Sequence, residues 1–400
     1  MKKLLLTTAI AGLAFAAAPA QAEGFDLKAG GFFKGYVNFV DQDEASGLET
    51  RDVDFLRHTE VYVTGETTLD NGLSVGVYIE GEADEDDSFD IEESYVYFQG
   101  DFGRINFGAE DGATYLLQVA APAADENVDG VRQFISPVSV GSIFGGDLTA
   151  IGGGEAGVSF AAALINDEGG LDYDNDLSQE DQFKITYLTP VFSGFQAGIS
   201  YTPEIDNGLE DGELTDGGFL GNGLDDQDGQ FGDVVDLAAR FEADFDGVGV
   251  QLGAGYSVAS LEGDQADVNN TINQNGLDAD DDRTQWNIAG NVNTAGFTVG
   301  VVYTEDDFGE GEFADEETFV VGASYETGAF KLGASFYDAE NFGGVSNLDA
   351  QRYAGGVTYS YAPGLSFRGS IGYVEFENDG TAISEDFETT YVLLGTQVNF

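Results

Sequence analysis

The chain closes on TYVLLGTQVNF (residues 390–400), an alternating run that ends on an aromatic. Val392, Leu394, Thr396, Val398 and Phe400 fall on one side of an extended backbone, and Tyr391, Gln397 and Asn399 on the other. Termini are ordinarily polar and frayed. A strand that runs to the last residue is expected where it has an obligatory partner, as in a closed barrel whose last strand pairs with its first. Phe400 is then expected at an aromatic belt beside one membrane surface.

The same period of two recurs along the chain. In GFFKGYVNFV (residues 31–40), Phe33, Gly35, Val37 and Phe39 share a face opposite Lys34, Tyr36 and Asn38. In LSVGVYIEGE (residues 73–82), Leu73, Val75, Val77 and Ile79 oppose Ser74, Gly76, Tyr78 and Glu80. The connectors alternate too. Short ones are LDNG (69–72), GDFG (100–103), DFDG (244–247), NTAG (293–296), TGA (327–329) and APG (362–364). Long acidic ones lie between them: residues 204–228 carry nine acids and no base, and residues 305–317 eight acids and no base.

A soluble sandwich would alternate as well, but it does not need so many strands of about ten residues, the length that crosses a bilayer at a tilt. Closure satisfies every backbone group in lipid. It also predicts a wet inner face, which accounts for the charged residues opposite the apolar ones. The fold expected is an all-β transmembrane antiparallel barrel.

Composition narrows the function. There is no cysteine and so no disulfide, and a single histidine, His58. A barrel hydrolase ordinarily needs a base, commonly His, and no serine or carboxylate spacing around His58 suggests a triad; an enzyme is not expected. Nor is a nucleic-acid partner, with 74 acids against 14 bases. A secreted calcium-braced β protein would show a fixed short repeat, and none is found. The N-terminus reads as a secretory signal: Lys2 and Lys3, an apolar stretch over residues 4–18, and Ala20-Gln21-Ala22 as the cleavage site. The expected division is therefore a signal peptide at 1–22 and one barrel domain at 23–400.

Two segments carry a family resemblance. EESYVYFQGDFGRINFGAEDG (residues 92–112) resembles the strand-turn-strand before the third loop of Gram-negative general porins, and FKITYLTPVFSGFQAGISYTP (residues 183–203) resembles the hairpin after it. With the leader and the terminal Phe, which resembles the signal read by the barrel-assembly machinery, the chain is similar to porins of the alphaproteobacterial type. The resemblance implies an outer-membrane homotrimer of 16-stranded barrels, each with an inward-folded third loop that narrows a pore for ions and small hydrophilic solutes. Strand counting leaves an ambiguity. With all of residues 110–181 as the third loop the count is 16; a further hairpin in residues 142–167 makes it 18. Both are even, and 16 is favoured because the hairpin from Phe183 matches the strands that follow that loop.

The resemblance also implies acids on that loop facing bases on the wall. The candidate loop acids are Glu110, Asp111, Asp125, Glu126 and Asp129. The candidate wall bases, by strand parity, are Lys34, Lys184, Arg240, Arg352 and Arg368. Arg104 has the right parity but sits beside a short turn. Parity turns His58, Glu60 and Tyr62 inward and Arg57 outward, and it places Tyr36, Tyr62, Tyr78, Tyr95 and Tyr97 inside as a conceivable stacking path. Such a path would suit the alternative reading, a specific channel for a sugar or small organic cation. A formal charge of −60 predicts an acidic vestibule that concentrates cations over a Debye length of about 8 Å, hence cation selectivity. No cofactor is expected, though acidic clusters invite loop-bound Ca2+. Asp172, Asp174 and Asp176 have the spacing that opens an EF-hand, but Leu177 and Phe183 stand where Gly and Glu are needed. Looser divalent bridging is conceivable there, among Asp225, Asp226 and Asp228, or over residues 280–282.

Overall fold

The structure, a computed structural model, describes residues 24–43, 49–83, 89–140, 170–175, 177, 182–205, 231–261, 282–309, 314–378 and 386–400. Alternation at period two drives most of these residues into strands: β1 (Asp26–Gln42), β2 (Val53–Thr68), β3 (Ser74–Glu82), β4 (Asp90–Gly100), β5 (Gly103–Ala109), β6 (Phe183–Leu188), β7 (Phe195–Glu204) and β8 (Phe231–Asp244). β9 (Val248–Leu261), β10 (Arg283–Thr294), β11 (Phe297–Asp306), β12 (Glu316–Thr327), β13 (Phe330–Glu340), β14 (Leu348–Ala362), β15 (Leu365–Asn378) and β16 (Phe387–Asn399) complete the wall. Each pairs with its neighbours in sequence, and β1 pairs with β16, closing a 16-stranded barrel. Phe400 answers the question its position raises: its N–H and C=O both bond Gly31 across the seam, each at 3.0 Å.

The alternative of 18 strands is excluded by register. β5 pairs directly with β6, Ala109 opposite Phe183, so no hairpin intervenes in the wall. Residues 142–167 themselves lie outside the described residues, as does the proposed signal peptide.

Short turns gather at one end. The two-residue turn Ala295-Gly296 takes φ of 50° and 84°, the doubly left-handed geometry whose twist matches paired strands. A Cβ at Gly296 would stand 2.6 Å from the Glu326 carbonyl, so only glycine fits. Phe102, Phe192, Phe245, Phe297, Phe330 and Phe400 are exposed near these turns, where ring bodies meet lipid and ring edges meet headgroups. Between the ends, outward residues such as Leu252, Ile288, Val299, Ile371 and Leu394 are exposed and apolar. In a barrel this is the lipid face, and the alternation is the inverse of a soluble protein's.

The interior departs from expectation. Instead of a uniformly wet inner face, inward residues of β11–β16 (Val302, Val320, Tyr337, Val374, Phe376 and Leu393) are buried in one apolar cluster with Val128, Ile135 and Leu171 of the long β5–β6 connection. That connection folds inside the barrel, and its apolar side chains fill one half. The parity argument identified which residues face inward; it did not say that part of the inside is dry.

Candidate functional site

The inward loop begins at Glu110 and makes two single-turn helices, α1 (Ala113–Leu116) and α2 (Glu126–Asp129). Its path is set by missing side chains on the wall. At inward positions of four strands stand Gly253, Gly300, Gly322 and Gly333, and a Cβ at each would strike the loop. Gly253 would meet Val119 at 2.8 Å and Gly300 the Pro122 ring at 2.9 Å, while Gly322 would collide with the Pro122 carbonyl and Gly333 with Ala124 N. Glycine inside a strand marks a close backbone approach, and here the lane carries the loop across β9 to β13.

Polar bonds continue the seat. The Thr358 hydroxyl donates to Ala124 O at 2.9 Å, Asn38 Nδ2 to Pro137 O at 2.8 Å and Gln42 Nε2 to Ser139 O at 3.0 Å. The Phe134 ring stacks on His58 at 4.8 Å. The loop thus runs along the wall from β6 round to β2.

Two of the candidate acids meet candidate wall bases on this path, Asp125 with Arg368 and Asp129 with Arg352. Asp125 caps α2, accepts from the Asn127 N–H, and takes the Tyr36 hydroxyl at 2.7 Å and the Arg368 guanidinium. Glu126, the most exposed of the five, pairs with Lys331. Asp129 faces Arg352 at 3.5 Å. Asp111 pairs with Arg132 of the loop itself, also at 3.5 Å. Lys184 donates to the backbone carbonyl of Glu110 rather than to its carboxylate. Burial pushes the Glu110 carboxyl up to about 7, against Tyr95, Arg104 and Lys184. Burial likewise raises Asp129 to about 6 in spite of Arg352.

The structure changes the reading of several of these residues. Arg352 faces inward but is completely buried, its Nη1 donating to Leu171 O at 3.0 Å and to Val128 O at 3.3 Å; it bolts the loop down and does not line water. Tyr36 is buried on Asp125 and stands apart from the other inward tyrosines. Of the candidate divalent-ion acids, Asp174 holds Arg132 at 2.9 Å and Asp172 accepts the Gln133 N–H at 3.4 Å. Asp176, Asp225, Asp226 and Asp228 lie outside the described residues. Arg240 faces inward near the short-turn end and pairs with Glu242.

Lys34, His58 and Glu60 form a buried node instead of a free lumen edge. Lys34 Nζ lies 3.2 Å from His58 Nδ1, and His58 Nε2 lies 2.8 Å from Glu60 and 3.3 Å from Glu82. An ammonium can only donate, so Nδ1 accepts and Nε2–H faces the carboxylates.

Parity turns Lys331 and Glu80 inward without singling them out as site residues, and Arg132, Glu82 and Glu92 carry no signal in the sequence reading. Among the described residues, Glu60, Glu80 and Glu92 bring carboxylate oxygens within 4.8 Å of one another. Parity alone would have turned Glu92 outward; a register shift between Glu80 and Gly81 breaks it.

The Gram-negative porin family model matches residues 7–379. The chain belongs to that family. It is a channel protein of the bacterial outer membrane. Among solved structures, the anion-selective porin from Comamonas acidovorans matches at TM-score 0.57 and 16% identity, over 94% of this chain and 100% of that one. A loop-deletion form of OmpT from Vibrio cholerae matches at 0.55 and 16%, over the same shares, and a Rh. blastica porin mutant at 0.53 and 16%, again over 94% and 100%. At these identities the likeness is one of fold. No sequence among curated proteins matches significantly.

Proposed function

We propose that this porin is a passive, non-enzymatic diffusion channel for ions and small hydrophilic solutes, and that it prefers cations. Diffusion requires a wet passage and a field that sorts charges, with no catalytic group or cofactor. One observation carries the preference. Four of the five loop acids stand against bases, at Arg132, Arg368, Lys331 and Arg352, which offsets their charge. The wall of β2–β4 gathers Glu60, Glu66, Glu80, Glu82 and Glu92, five acids against His58 and the neighbouring Lys34 and Arg104. With −60 over the chain, a permeating anion meets repulsion where a cation meets attraction. Glu126 and Lys331 are the pair we place at the water's edge, because they are its most exposed members.

The homotrimer, cleavage after Ala22 and assembly by the barrel-insertion machinery belong to the same reading; a Vibrio cholerae OmpT structure is described as a trimer form. The test is the reversal potential of purified protein in a planar bilayer under a KCl gradient. Cation preference that weakens at high salt is expected. Anion preference would mean that the wall bases rule the passage and would overturn the selectivity; absence of conductance from folded protein would overturn the channel reading.

A further inference from the structure

We propose that the inner wall of β2–β4 is a binding lane for organic cations, solutes that join an ammonium group to an aromatic or alkyl body. The proposal rests on the cation-preferring reading above and names the class of solute it serves.

Tyr62, Tyr78, Tyr95 and Tyr97 form a continuous ladder on three neighbouring strands. Successive ring centroids are 5.9, 5.4 and 6.5 Å apart, the first two pairs stacked at 17° and 28°. All four rings keep partial exposure, unlike Tyr36 and the buried Tyr337 and Tyr391 of the dry half. The ladder already holds a cation: the Arg104 guanidinium lies 4.3 Å over Tyr97 and 5.9 Å from Tyr95. A ring face attracts positive charge through its quadrupole. Two ladder hydroxyls donate to carboxylates, Tyr97 to Glu66 at 2.5 Å and Tyr78 to Glu80, and a phenol bonded to an anion has the more electron-rich face.

Towards the long-loop end the rings run into the converging carboxylates of Glu60, Glu80 and Glu92. Beside them Glu110 Oε2 is buried without a hydrogen-bond partner, on the residue that follows the Ser94–Ala109 pair and within electrostatic reach of Glu80. A solute moving along the wall therefore finds aromatic surface and a carboxylate cluster within one molecular length. A neutral sugar carries no charge to set against a cluster of carboxyl groups held this close together. A bare metal ion would use the carboxylates and leave the rings idle. An aryl- or alkylammonium uses both.

The test is single-channel current in KCl, with benzyltrimethylammonium chloride added on one side and tetramethylammonium chloride or sodium benzenesulfonate as comparators. The expected result is concentration-dependent interruption by benzyltrimethylammonium, with apparent affinity about tenfold above tetramethylammonium, and none from benzenesulfonate. Tyr78→Leu is expected to lower that affinity about tenfold while Tyr78→Phe retains it, with KCl selectivity unchanged in both. Normal cation selectivity with equal interruption by the two ammonium ions, or with Tyr78→Leu behaving as wild type, overturns the lane and leaves the cation preference standing. Equal interruption by benzenesulfonate overturns the role of charge in it. Loss of cation selectivity in the wild-type control removes the reading beneath it.

Discussion

Replacing Glu126 by Gln removes one negative charge from the most exposed loop–wall pair and leaves Lys331 facing the water. An ion passing about 7 Å from that carboxylate feels roughly 0.6 kcal/mol in water before screening. At physiological ionic strength screening leaves about 0.25 kcal/mol. The substitution acts with opposite sign on K+ and Cl−, so their difference changes by about 0.5 kcal/mol, close to a twofold fall in the permeability ratio. Lys331→Glu changes the local charge by two units in the other direction and is expected to raise the ratio about fivefold. The assay is the reversal potential across a tenfold KCl gradient, repeated near 1 M salt, where the screening length falls to about 3 Å and both effects are expected to vanish. Two results would refute the reasoning: a Glu126→Gln channel unchanged at low salt, which would place the carboxylate away from the ion path, or an effect that persists at 1 M, which would mean structural displacement rather than a field.

Gly322→Val puts atoms onto the Pro122 carbonyl, so the loop is expected to lift from the wall; single-channel conductance should rise and become noisier, and unchanged conductance would show that the lane does not set the loop's position. Arg352→Met leaves Asp129 buried opposite an apolar side chain, an uncompensated charge that costs about 3–5 kcal/mol; loosened loop packing, read as faster proteolysis of the folded channel within the loop, is expected, and the double variant with Asp129→Asn should recover most of it. Because the Asp129 carboxyl titrates near 6 instead of 3.8, it is protonated more readily in the folded protein. Its contribution is most favourable below about 3.8 and is lost as pH rises through 6. Thermal denaturation should therefore show a gain at pH 5 over pH 8 that Asp129→Asn abolishes.

Much of the barrel was legible because strand geometry is local. A period of two fixes which side chains share a face, and Lys34, Lys184, Arg240, Arg352 and Arg368 all point inward as parity requires. Glu92, which counting by twos would turn outward, sits at a register shift, where that counting fails. The five loop acids were named through the family resemblance, which points to the segment before Phe183. Arg352 and Arg368 were named as wall bases, but which acid each base meets was not legible, because such pairs reach across up to 243 positions of sequence.

By itself, then, the sequence determined the strands, their inner and outer faces, the closure between β1 and β16 and the acidic character of the interior, all consequences of backbone pleat and composition. The tertiary structure decided how that interior is divided. Docking of the loop on the wall glycines places Val128 and Leu171 against Val302 and Phe376, dries one half of the barrel and turns its acid–base array into ion pairs. The tyrosines of β2–β4, with Glu66, Glu80, Glu82 and Glu92, stay partly exposed in the other half. That outcome depends on which wall the loop reaches, and contacts across the full width of a barrel have no counterpart in the local pattern of the chain.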